Sequence, residues 1–544
     1  MKKSTIALLL GMTIAAGTIL GGCQSTTADT EDGVTTTEAS TEIAADTADT
    51  SGKEYREEMH IAFSDAPDTL DLTNTSSDSA SNIMLGTVFE MLVALTEDYG
   101  VAPQLAESYE VSDDATTYTY HLKTDIAFSN GEMMTAEDVV ASMNRWLDNF
   151  ETAATYTNGG RFEKVDDATV KIVMPKPYLY LNELIATAAQ SPIITPASVI
   201  ESSVDPATKN LTEFIGTGPY LFEEWAADQY IKLVKNDAYI PYGGETSGWS
   251  GLREAKTPVV YWDIVTDQTT AIAGMQSGEY DLVSGLSGDN YEQFSSNEDF
   301  KTFTWLDGDM VMIYNKREGI ASDAVFRRAV NAALNAEDIC SAAFGNSDFY
   351  KVQPSYMSVE ASPWYSTAGS ENYNANDPET AKALLKECGY AGEEFRLLVA
   401  SDQSDFYNAA IVIEQELEAA GINVTLETVD WATYLTYSSD QTMFDAFITS
   451  FSVKPIPTLI TYLSATWNGW CELPEVVDGF AAINEATDLE EAVAVWNDVQ
   501  EYCWTEGMPV SKLGDKYIYC VTSAKVDGLD YFRGIHPWNV TIEK

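Results

Sequence analysis

Alternating apolar and polar side chains predict strands at several places in the chain. Tyr118, Tyr120 and Leu122 alternate with polar residues, and this period of two is typical of a half-buried strand. The same pattern predicts strands over two further segments, Glu58–Phe63 and Thr169–Met174. We therefore expect sheets with one face turned toward a core.

A helical period follows the turn at Ser129–Gly131. Thr135 is a good N-cap, and Asp138 completes an imperfect capping box, in which Glu or Gln is usual. Behind the cap, four apolar residues recur at helical spacing: Val139, Val140, Met143 and Leu147. A further helix is predicted over Asn82–Leu92, after a turn rich in Ser, Thr and Asp. Strand, turn and helix form one supersecondary unit, which alone indicates no chemistry.

Helices and strands alternate in the second half of the chain. Asp377–Leu385 is predicted as a helix because Pro378 lies in its first turn. The elements that follow are a strand, a helix closed by a glycine, and a second strand: Arg396–Ala400, Ala410–Ala420 and Val424–Val429. This alternation is typical of an α/β domain.

Several short motifs occur in the order found in a known family. They include YTYHLK (118–123), FSNG (128–131), TAEDV (135–139), SMNR (142–145) and GTGPY (216–220). The whole string resembles the family 5 extracellular solute-binding proteins, the peptide-, nickel- and oligosaccharide-binding lipoproteins of ABC importers. Asn130 is a mild departure, since the family has an aspartate there. Matching blocks extend from about Thr69 to at least Phe451.

The resemblance implies the fold class and the domain organisation. It implies an α/β fold of the type II periplasmic-binding-protein kind, with two lobes, an extra subdomain, and mixed sheets flanked by helices. A chain of 544 residues is also too long for one ordinary domain. We expect a solute-binding body over residues 54–544. In it, lobe I covers about 54–90, 205–315 and 505–544, the subdomain about 91–204, and lobe II about 316–504.

The amino terminus has the pattern of an export signal. A positive start, Met1–Lys3, precedes an apolar stretch, Ile6–Leu20, which is shorter than the roughly 20 residues that span a bilayer. Small residues then precede Cys23, as in a lipobox, so we predict a signal peptide over 1–22 and lipidation of Cys23. An ordinary secretory signal and an uncleaved anchor are the alternatives. Residues 23–53 are predicted to form a disordered acidic Thr/Ser/Ala tether.

Composition excludes some partners. The chain has 85 Asp and Glu residues against 30 Lys and Arg, a net charge of -55. Nucleic acid and anionic lipid surfaces attract basic patches, so neither is expected as a direct partner. The predicted location is extracytoplasmic, either lipid-anchored to the outer face of the cell membrane or on the periplasmic side.

Sequence motifs for catalysis and for metal binding are absent. The chain has three histidines and no GxSxG, HExxH or EF-hand pattern. After Cys23 five cysteines remain, without a CxxC pair, so no zinc site, other metal or cofactor is predicted. A Cys471–Cys503 or a Cys503–Cys520 disulfide stays open. We predict a protein that is not an enzyme, although a hydrolase needs only two carboxylates.

Candidate ligand-binding residues lie downstream of the family motifs and in one earlier turn. They are Trp431, Phe451, Lys454, Trp467, Trp470 and Asp78. The resemblance implies a cleft tryptophan at Trp431 and a position near the cleft for Asp78. Core packing of the tryptophans and N-capping by Asp78 are the alternatives.

The loop at Phe451–Thr458 departs from the family. In peptide-binding relatives this loop often carries an aspartate that pairs with the peptide's α-amino group, whereas here it has no acid and contains Lys454. A neutral or anionic ligand group fits better if Lys454 faces the cleft, and an exposed lysine is the alternative. We predict an importer's substrate-binding lipoprotein that delivers an oligopeptide or peptide-like solute to a permease. An oligosaccharide or metal chelate is the alternative cargo, and a secreted hydrolase the alternative class.

Overall fold

The computed structural model describes residues 53–358 and 362–544. The predicted signal peptide, Cys23 and nearly all of the predicted tether lie outside the described residues. The strands are β1 Glu58–Phe63, β2 Val93–Leu95, β3 Val101–Pro103, β4 Ala106–Val111, β5 Thr117–Leu122, β6 Arg161–Asp166, β7 Thr169–Val173, β8 Tyr220–Ala226, β9 Tyr230–Lys235, β10 Val259–Ile264, β11 Leu282–Ser284, β12 Phe300–Tyr314, β13 Tyr350–Lys351, β14 Glu394–Ala400, β15 Asn423–Val429, β16 Ala446–Ser452, β17 Val510–Ser523, β18 Val526–Asp527, β19 Asp530–Tyr531, β20 Ile535–His536 and β21 Thr541–Ile542.

The helices lie between the strands, mostly in the subdomain and in the second half of the chain. They are α1 Asp78–Met84, α2 Ala136–Asn149, α3 Glu151–Tyr156, α4 Leu181–Ile185, α5 Ala197–Ser202, α6 Gln268–Ser277, α7 Tyr291–Ser295, α8 Ala324–Ala333, α9 Ala336–Phe344, α10 Pro378–Glu387, α11 Ser404–Ala420, α12 Trp431–Ser438, α13 Pro474–Glu485 and α14 Leu489–Tyr502. In the described part of the chain, no helix combines the length and the hydrophobicity needed to cross a bilayer.

The largest sheet in the described ranges has eleven strands. Its order is β15-β14-β16-β12-β17-β11-β1-β10-β9-β8, and β13 pairs with β17 beside this path. Strand β1 runs parallel to β10 and β11, while β12 is antiparallel to β16 and β17. We call the half that contains β8, β9, β10, β1 and β11 lobe I, and the half that contains β14, β15 and β16 lobe II.

Strands β12 and β17 run through both halves of this sheet. β12 pairs with β17 from Phe300 to Ile313, and from Gly308 to Tyr314 it also pairs with β16. The ladder shifts register between Leu306 and Gly308, and again between Met310 and Val311. Such bulges bend a strand and increase its twist. The lobes are therefore joined by a long two-stranded ladder that is interrupted near its middle.

A separate antiparallel sheet carries the first predicted unit. Its order is β4-β5-β7-β6, and we call this sheet with α2 to α5 the subdomain. The prediction of strand, turn and helix is confirmed. Thr135 accepts from the backbone N–H of Asp138, and the Asp138 carboxylate accepts from the N–H of Thr135 at 2.9 Å. Tyr118 and Tyr120 are fully buried in β5, as their alternation predicted.

The helix predicted over Asn82–Leu92 is wrong. Helix α1 begins earlier, at Asp78 after the N-cap Ser77, and ends at Met84. Gly86 has a φ of 75°, and a Cβ there would lie 2.7 Å from the Trp538 ring. The chain turns at Gly86 because glycine tolerates this backbone conformation and leaves room for the indole.

Two buried ion pairs hold distant segments together. Arg145 on α2 donates to both carboxylate oxygens of Asp71, and neither side chain is more than 9% exposed. Glu90 pairs with Arg253 at 2.5 Å in an equally buried setting. Removing one partner of such a pair leaves the other charge buried and uncompensated, which is strongly destabilising. The five cysteines of the described residues are free thiols, so neither of the two disulfides considered from the sequence is formed.

Candidate functional site

A cavity of about 360 Å³ lies where β12 and β17 pass between the lobes. We call it the strand cavity. Five of its lining residues are charged: Asp65, Asp78, Asp307, Lys516 and Arg533. The other lining residues are Phe63, Ser64, Ser79, Asn82, Ser284, Gly285, Ser452, Ile518, Tyr531, Gly534 and Ile535. Lobe I, both long strands and the end of β16 therefore all contribute to one polar cavity.

A second cavity, of about 520 Å³, lies between the subdomain and the loop that follows β16. We call it the loop cavity. The subdomain side contributes Phe150, Thr152, Tyr156, Leu184, Thr187, Ala189 and Gln190, and the loop side Lys454, Pro455, Thr458, Leu459, Ile460, Thr461, Ser464, Thr466 and Trp467. Ser76 and Arg533 complete the lining. Because Arg533 also lines the strand cavity, the two cavities adjoin at this residue.

The bulge in β12 brings a carboxylate to the strand cavity. Asp307 lies at the register shift between Leu306 and Gly308, and burial raises its pKa although Lys516 and Arg533 oppose the shift. Lys516 on β17 pairs with Asp405 of α11 at 3.1 Å. Burial alone would lower the pKa of Lys516. The nearby carboxylates, chiefly those of Asp405 and Asp307, together have the larger effect, so the pKa of Lys516 is raised.

Lys454 and Arg533 meet at the junction of the two cavities. Lys454 Nζ lies 3.4 Å from Ser452 Oγ, and a guanidinium nitrogen of Arg533 lies 3.4 Å from the same oxygen. Burial and the positive charge of Arg533 lower the pKa of Lys454 to about 8. The guanidinium of Arg533 also lies 5.6 Å from the centre of the Trp249 ring, which helps to position it.

A buried polar cluster lies behind Lys454 in lobe II. The Tyr462 hydroxyl donates a 2.6 Å hydrogen bond to Asp309, and burial raises the pKa of Asp309 to about 6. Lys512 pairs with Asp515 at 2.7 Å, and Gln353 donates to Asp515. A small cavity of about 10 Å³ separates Asp309 from Lys454, since both residues line it.

Three side-chain contacts join the subdomain to lobe II. The Tyr156 hydroxyl donates to the carbonyl of Thr458 at 3.0 Å. Tyr180 packs edge-on against Trp364 with ring centres 5.4 Å apart. On the surface, Lys176 pairs with Glu485 at 3.0 Å. Of these three contacts, only the bond from Tyr156 to Thr458 joins two residues that line the loop cavity.

The structure brings four of the six predicted ligand-binding residues to these cavities. Asp78 is exposed in the first turn of α1 and lines the strand cavity, where Ser77 rather than Asp78 is the N-cap. Lys454 and Trp467 line the loop cavity. Phe451 lines the small cavity and packs against Trp467, with ring centres 5.2 Å apart.

The other two predicted residues lie elsewhere. Trp431 stacks on Tyr434 with ring centres 5.0 Å apart and 11° between the planes. Trp470 is 8% exposed and stacks on Phe444, with Arg317 over its face. Both indoles pack against aromatic rings of lobe II. Neither lines the strand cavity or the loop cavity.

Sequence reasoning missed Arg533, Asp307, Lys516 and Ser452. Arg533 contacts Ser452 from 81 residues away, and Lys516 contacts Asp405 from 111 residues away. Only Ser452 carried a signal, since it belongs to the Phe451–Thr458 loop, where the chain departs from the family. Within the described ranges, no group of three or more His, Cys, Asp or Glu side chains is arranged to hold a metal ion.

Comparisons with known proteins agree with the motifs. The profile described as "Bacterial extracellular solute-binding proteins, family 5 Middle" matches residues 100–470. The probable peptide ABC transporter periplasmic-binding protein y4tO of Sinorhizobium fredii is 26% identical over 474 residues, covering 81% of this chain and 86% of that protein. The oligopeptide-binding protein AppA of Bacillus subtilis is 26% identical over 411 residues, covering 70% of this chain and 71% of that protein.

Solved structures share the fold. The binding protein AgaA of Agrobacterium tumefaciens, in complex with agropinic acid, superposes with a TM-score of 0.74 at 23% identity, covering 90% of this chain and 99% of that one. NikA of Brucella suis, in complex with Fe(III)-EDTA, gives 0.75 at 20% identity, covering 89% and 100%. The predicted α/β type II periplasmic-binding-protein fold is confirmed.

Proposed function

The chain belongs to the bacterial extracellular solute-binding proteins, family 5, and from that premise we propose that it captures a small peptide-like solute between its lobes and delivers it to an ABC permease. The observation that carries the proposal is the pair of adjoining cavities, about 360 and 520 Å³, which share Arg533. Small-molecule sites are concave and mostly apolar, with a few placed polar groups. The loop cavity combines both kinds of group, since apolar side chains such as Leu459 and Trp467 line it together with polar ones such as Lys454.

The relatives support a peptide-like solute. Two similar proteins are named as peptide- or oligopeptide-binding. A third, GsiB of Salmonella typhimurium, is named as glutathione-binding and is 26% identical over 367 residues. An oligosaccharide or a metal chelate remains the alternative cargo within the family.

The ladder of β12 and β17 supports closure by a hinge. Its register shifts at Leu306/Gly308 and Met310/Val311 mark the place where the two strands are least regular, and hinges absorb motion at a few such residues. We propose that the hinge lies near these shifts, a few residues before the lobe boundary that the sequence predicts at about residue 315. A bound solute favours the closed form in proportion to its extra contacts there. Small-angle scattering of the full chain should show compaction on binding, and an unchanged radius of gyration with a bound solute contradicts the hinge.

The amino-terminal signal supports export and lipid anchoring through Cys23. Labelled palmitate should enter the full chain and fail to enter a Cys23→Ala variant, which should leave the membrane fraction. A variant that stays membrane-bound contradicts the lipid anchor and favours the uncleaved-anchor alternative.

Calorimetry with a panel of solutes tests the proposal as a whole. The full chain, stripped of bound solute by reversible unfolding in urea, is titrated with di- to pentapeptides, oligosaccharides and nickel–histidine. We expect saturable one-to-one binding of a peptide-like solute that chromatography recovers unaltered. Binding of sugar or chelate alone selects the alternative cargo. Turnover establishes a hydrolase, and binding of no solute overturns the proposal.

A further inference from the structure

Two cations at the junction of the cavities, Lys454 and Arg533, are not held in ion pairs in the described part of the chain. Both are half-buried. Each instead contacts the hydroxyl oxygen of Ser452 at 3.4 Å. That distance is longer than the usual 2.7–3.2 Å of an N–H···O hydrogen bond. Both cations therefore have N–H donors with no acceptor at the usual hydrogen-bond distance in the described part of the chain.

A shortage of carboxylates does not explain this arrangement. Acidic residues outnumber basic ones by 85 to 30, and other cations near the strand cavity or on the surface find acids. Lys516 pairs with Asp405 and Arg317 pairs with Glu472. Asp78 and Asp307 line the strand cavity with Arg533 and act on these cations at longer range, but in the described part of the chain no carboxylate forms an ion pair with Lys454 or Arg533.

The two positive charges act unfavourably on each other. Burial and Arg533 together lower the pKa of Lys454, whereas Asp78 and Asp309 favour its charged form without pairing with it. Asp309 is occupied by the Tyr462 hydroxyl. An anion placed between the two cations would relieve their repulsion and would offset their partial desolvation.

Apolar side chains lie near the two cations. Leu459, Ile460 and Trp467 line the loop cavity together with Lys454 and Arg533. A solute with both an anionic and an apolar part could therefore contact both kinds of group.

We infer that Lys454 and Arg533 bind an anionic group of the captured solute, a carboxylate or a phosphate, while the apolar part of that solute packs against Trp467 in the loop cavity. This inference rests on the proposed function and names the chemical class of its solute. It reverses the polarity that the family resemblance implies for this loop, where an aspartate would face an ammonium group. A peptide would accordingly present its carboxylate to Lys454.

Matched acids and esters test the inference. The full chain is titrated with N-acetyl-dileucine and its methyl ester, hexanoate and methyl hexanoate, phenyl phosphate, and the cation leucyl-leucinamide. We expect at least one acid to bind about 10-fold or more tighter than its neutral form, because charge-assisted hydrogen bonds are lost in the ester. Binding of the carboxylic acids assigns a carboxylate, and binding of phenyl phosphate alone assigns a phosphate.

Substitutions locate the effect. Lys454→Met and Arg533→Met should each weaken acid binding about 10-fold or more and leave the ester unchanged. Lys386→Met is the matched control, because Lys386 is exposed on α10. This substitution should change the affinity for neither the acid nor the ester. Circular dichroism establishes that each variant is folded.

The pH dependence supplies a second test that does not need a loss of binding. Acid affinity of the wild type should fall between pH 7 and pH 9.5 as Lys454 loses its proton. Arg533, Asp78 and Asp309 are the charged groups that act on it. Lys454→Arg should keep the affinity and lose this pH dependence, because a guanidinium stays charged.

Three results overturn the inference. Esters can bind as tightly as their acids, leucyl-leucinamide can bind when no acid does, or acid binding can be unaffected by Lys454→Met and Arg533→Met. Each of these leaves the proposed function intact. Failure of every solute, of any charge, overturns the proposed function as well.

Discussion

The hydroxyl of Tyr156 donates a 3.0 Å hydrogen bond to the carbonyl oxygen of Thr458. Tyr156 is the last residue of α3 in the subdomain, and Thr458 lies in the loop that follows β16 of lobe II. The bond therefore joins the two sides of the loop cavity. In a protein that holds a solute between these sides, it should slow the solute's release.

Tyr156→Phe should accelerate release of a bound solute about 5-fold, because one neutral hydrogen bond contributes about 1 kcal/mol. Stopped-flow measurement of the change in tryptophan fluorescence on dilution gives the rate. Tyr109→Phe is the control, since Tyr109 packs against Tyr120 in the subdomain away from the loop cavity. Equal release rates for Tyr156→Phe and the wild type would contradict a role for this contact in retention.

Two tryptophans proposed from the sequence should behave differently. Trp467→Ala should weaken solute binding about 10-fold or more, because Trp467 lines the loop cavity and aromatic side chains contribute much of the contact energy at binding sites. Trp431→Ala should leave the affinity unchanged, because Trp431 stacks on Tyr434. Calorimetric titration of both variants decides the matter. A loss of affinity in Trp431→Ala alone would move the site away from the loop cavity.

The buried carboxyl of Asp309 should give a pH-dependent stability difference. Burial raises its pKa from 3.8 to about 6, so the folded state binds this proton more tightly than the unfolded state. Protonation of Asp309 therefore stabilises the folded wild type at low pH, and this contribution is lost as the pH rises from about 4 to about 6. Asp309→Asn lacks the titration, and its stability relative to the wild type should rise by up to about 3 kcal/mol from pH 4 to pH 7.

Urea unfolding at the two pH values measures this difference. Asp498→Asn, on the exposed face of α14, controls for the loss of one negative charge. A relative stability of Asp309→Asn that stays constant, or that falls as the pH rises, would show that the folded protein does not hold the proton at Asp309.

The pair of Arg145 and Asp71 should be essential for stability. Arg145→Met leaves the Asp71 carboxylate buried with only the backbone N–H groups of Thr73 and Leu211 as donors, and breaking a buried pair in this way costs about 3–5 kcal/mol. Arg161→Met is the matched control, because Arg161 pairs with Asp148 on the surface. Loss of this exposed pair should lower the free energy of unfolding by less than about 1 kcal/mol. Thermal unfolding that shifts both melting temperatures equally would refute this assignment.

Local patterns in the sequence predicted the elements well where the determinants are close in sequence. The capping box of Thr135 and Asp138 and the alternation of Tyr118 and Tyr120 are each complete within a few residues. The helix over Asn82–Leu92 was wrong because its end is set by Trp538, which lies far away in sequence and occupies the space beside Gly86.

The candidate site was only partly predictable for the same reason. Lys454 could be singled out because a family pattern gives an acid in its loop. Its neighbour Arg533 comes from the carboxy-terminal segment and meets it only through the tertiary fold. Trp467 and Trp470 have the same local context in the sequence, and only packing places the first in a cavity and the second against Phe444.

The central claim is that this chain captures a solute without altering it, and mass spectrometry of the protein purified from the cells that make it tests this most directly. The full chain, extracted mildly and analysed intact, should carry one small organic molecule per protein. Released from the unfolded chain, that molecule should rebind and be recovered with its mass unchanged. A protein that carries no such molecule and binds none of the tested solutes, or one that returns the molecule chemically changed, would contradict the account.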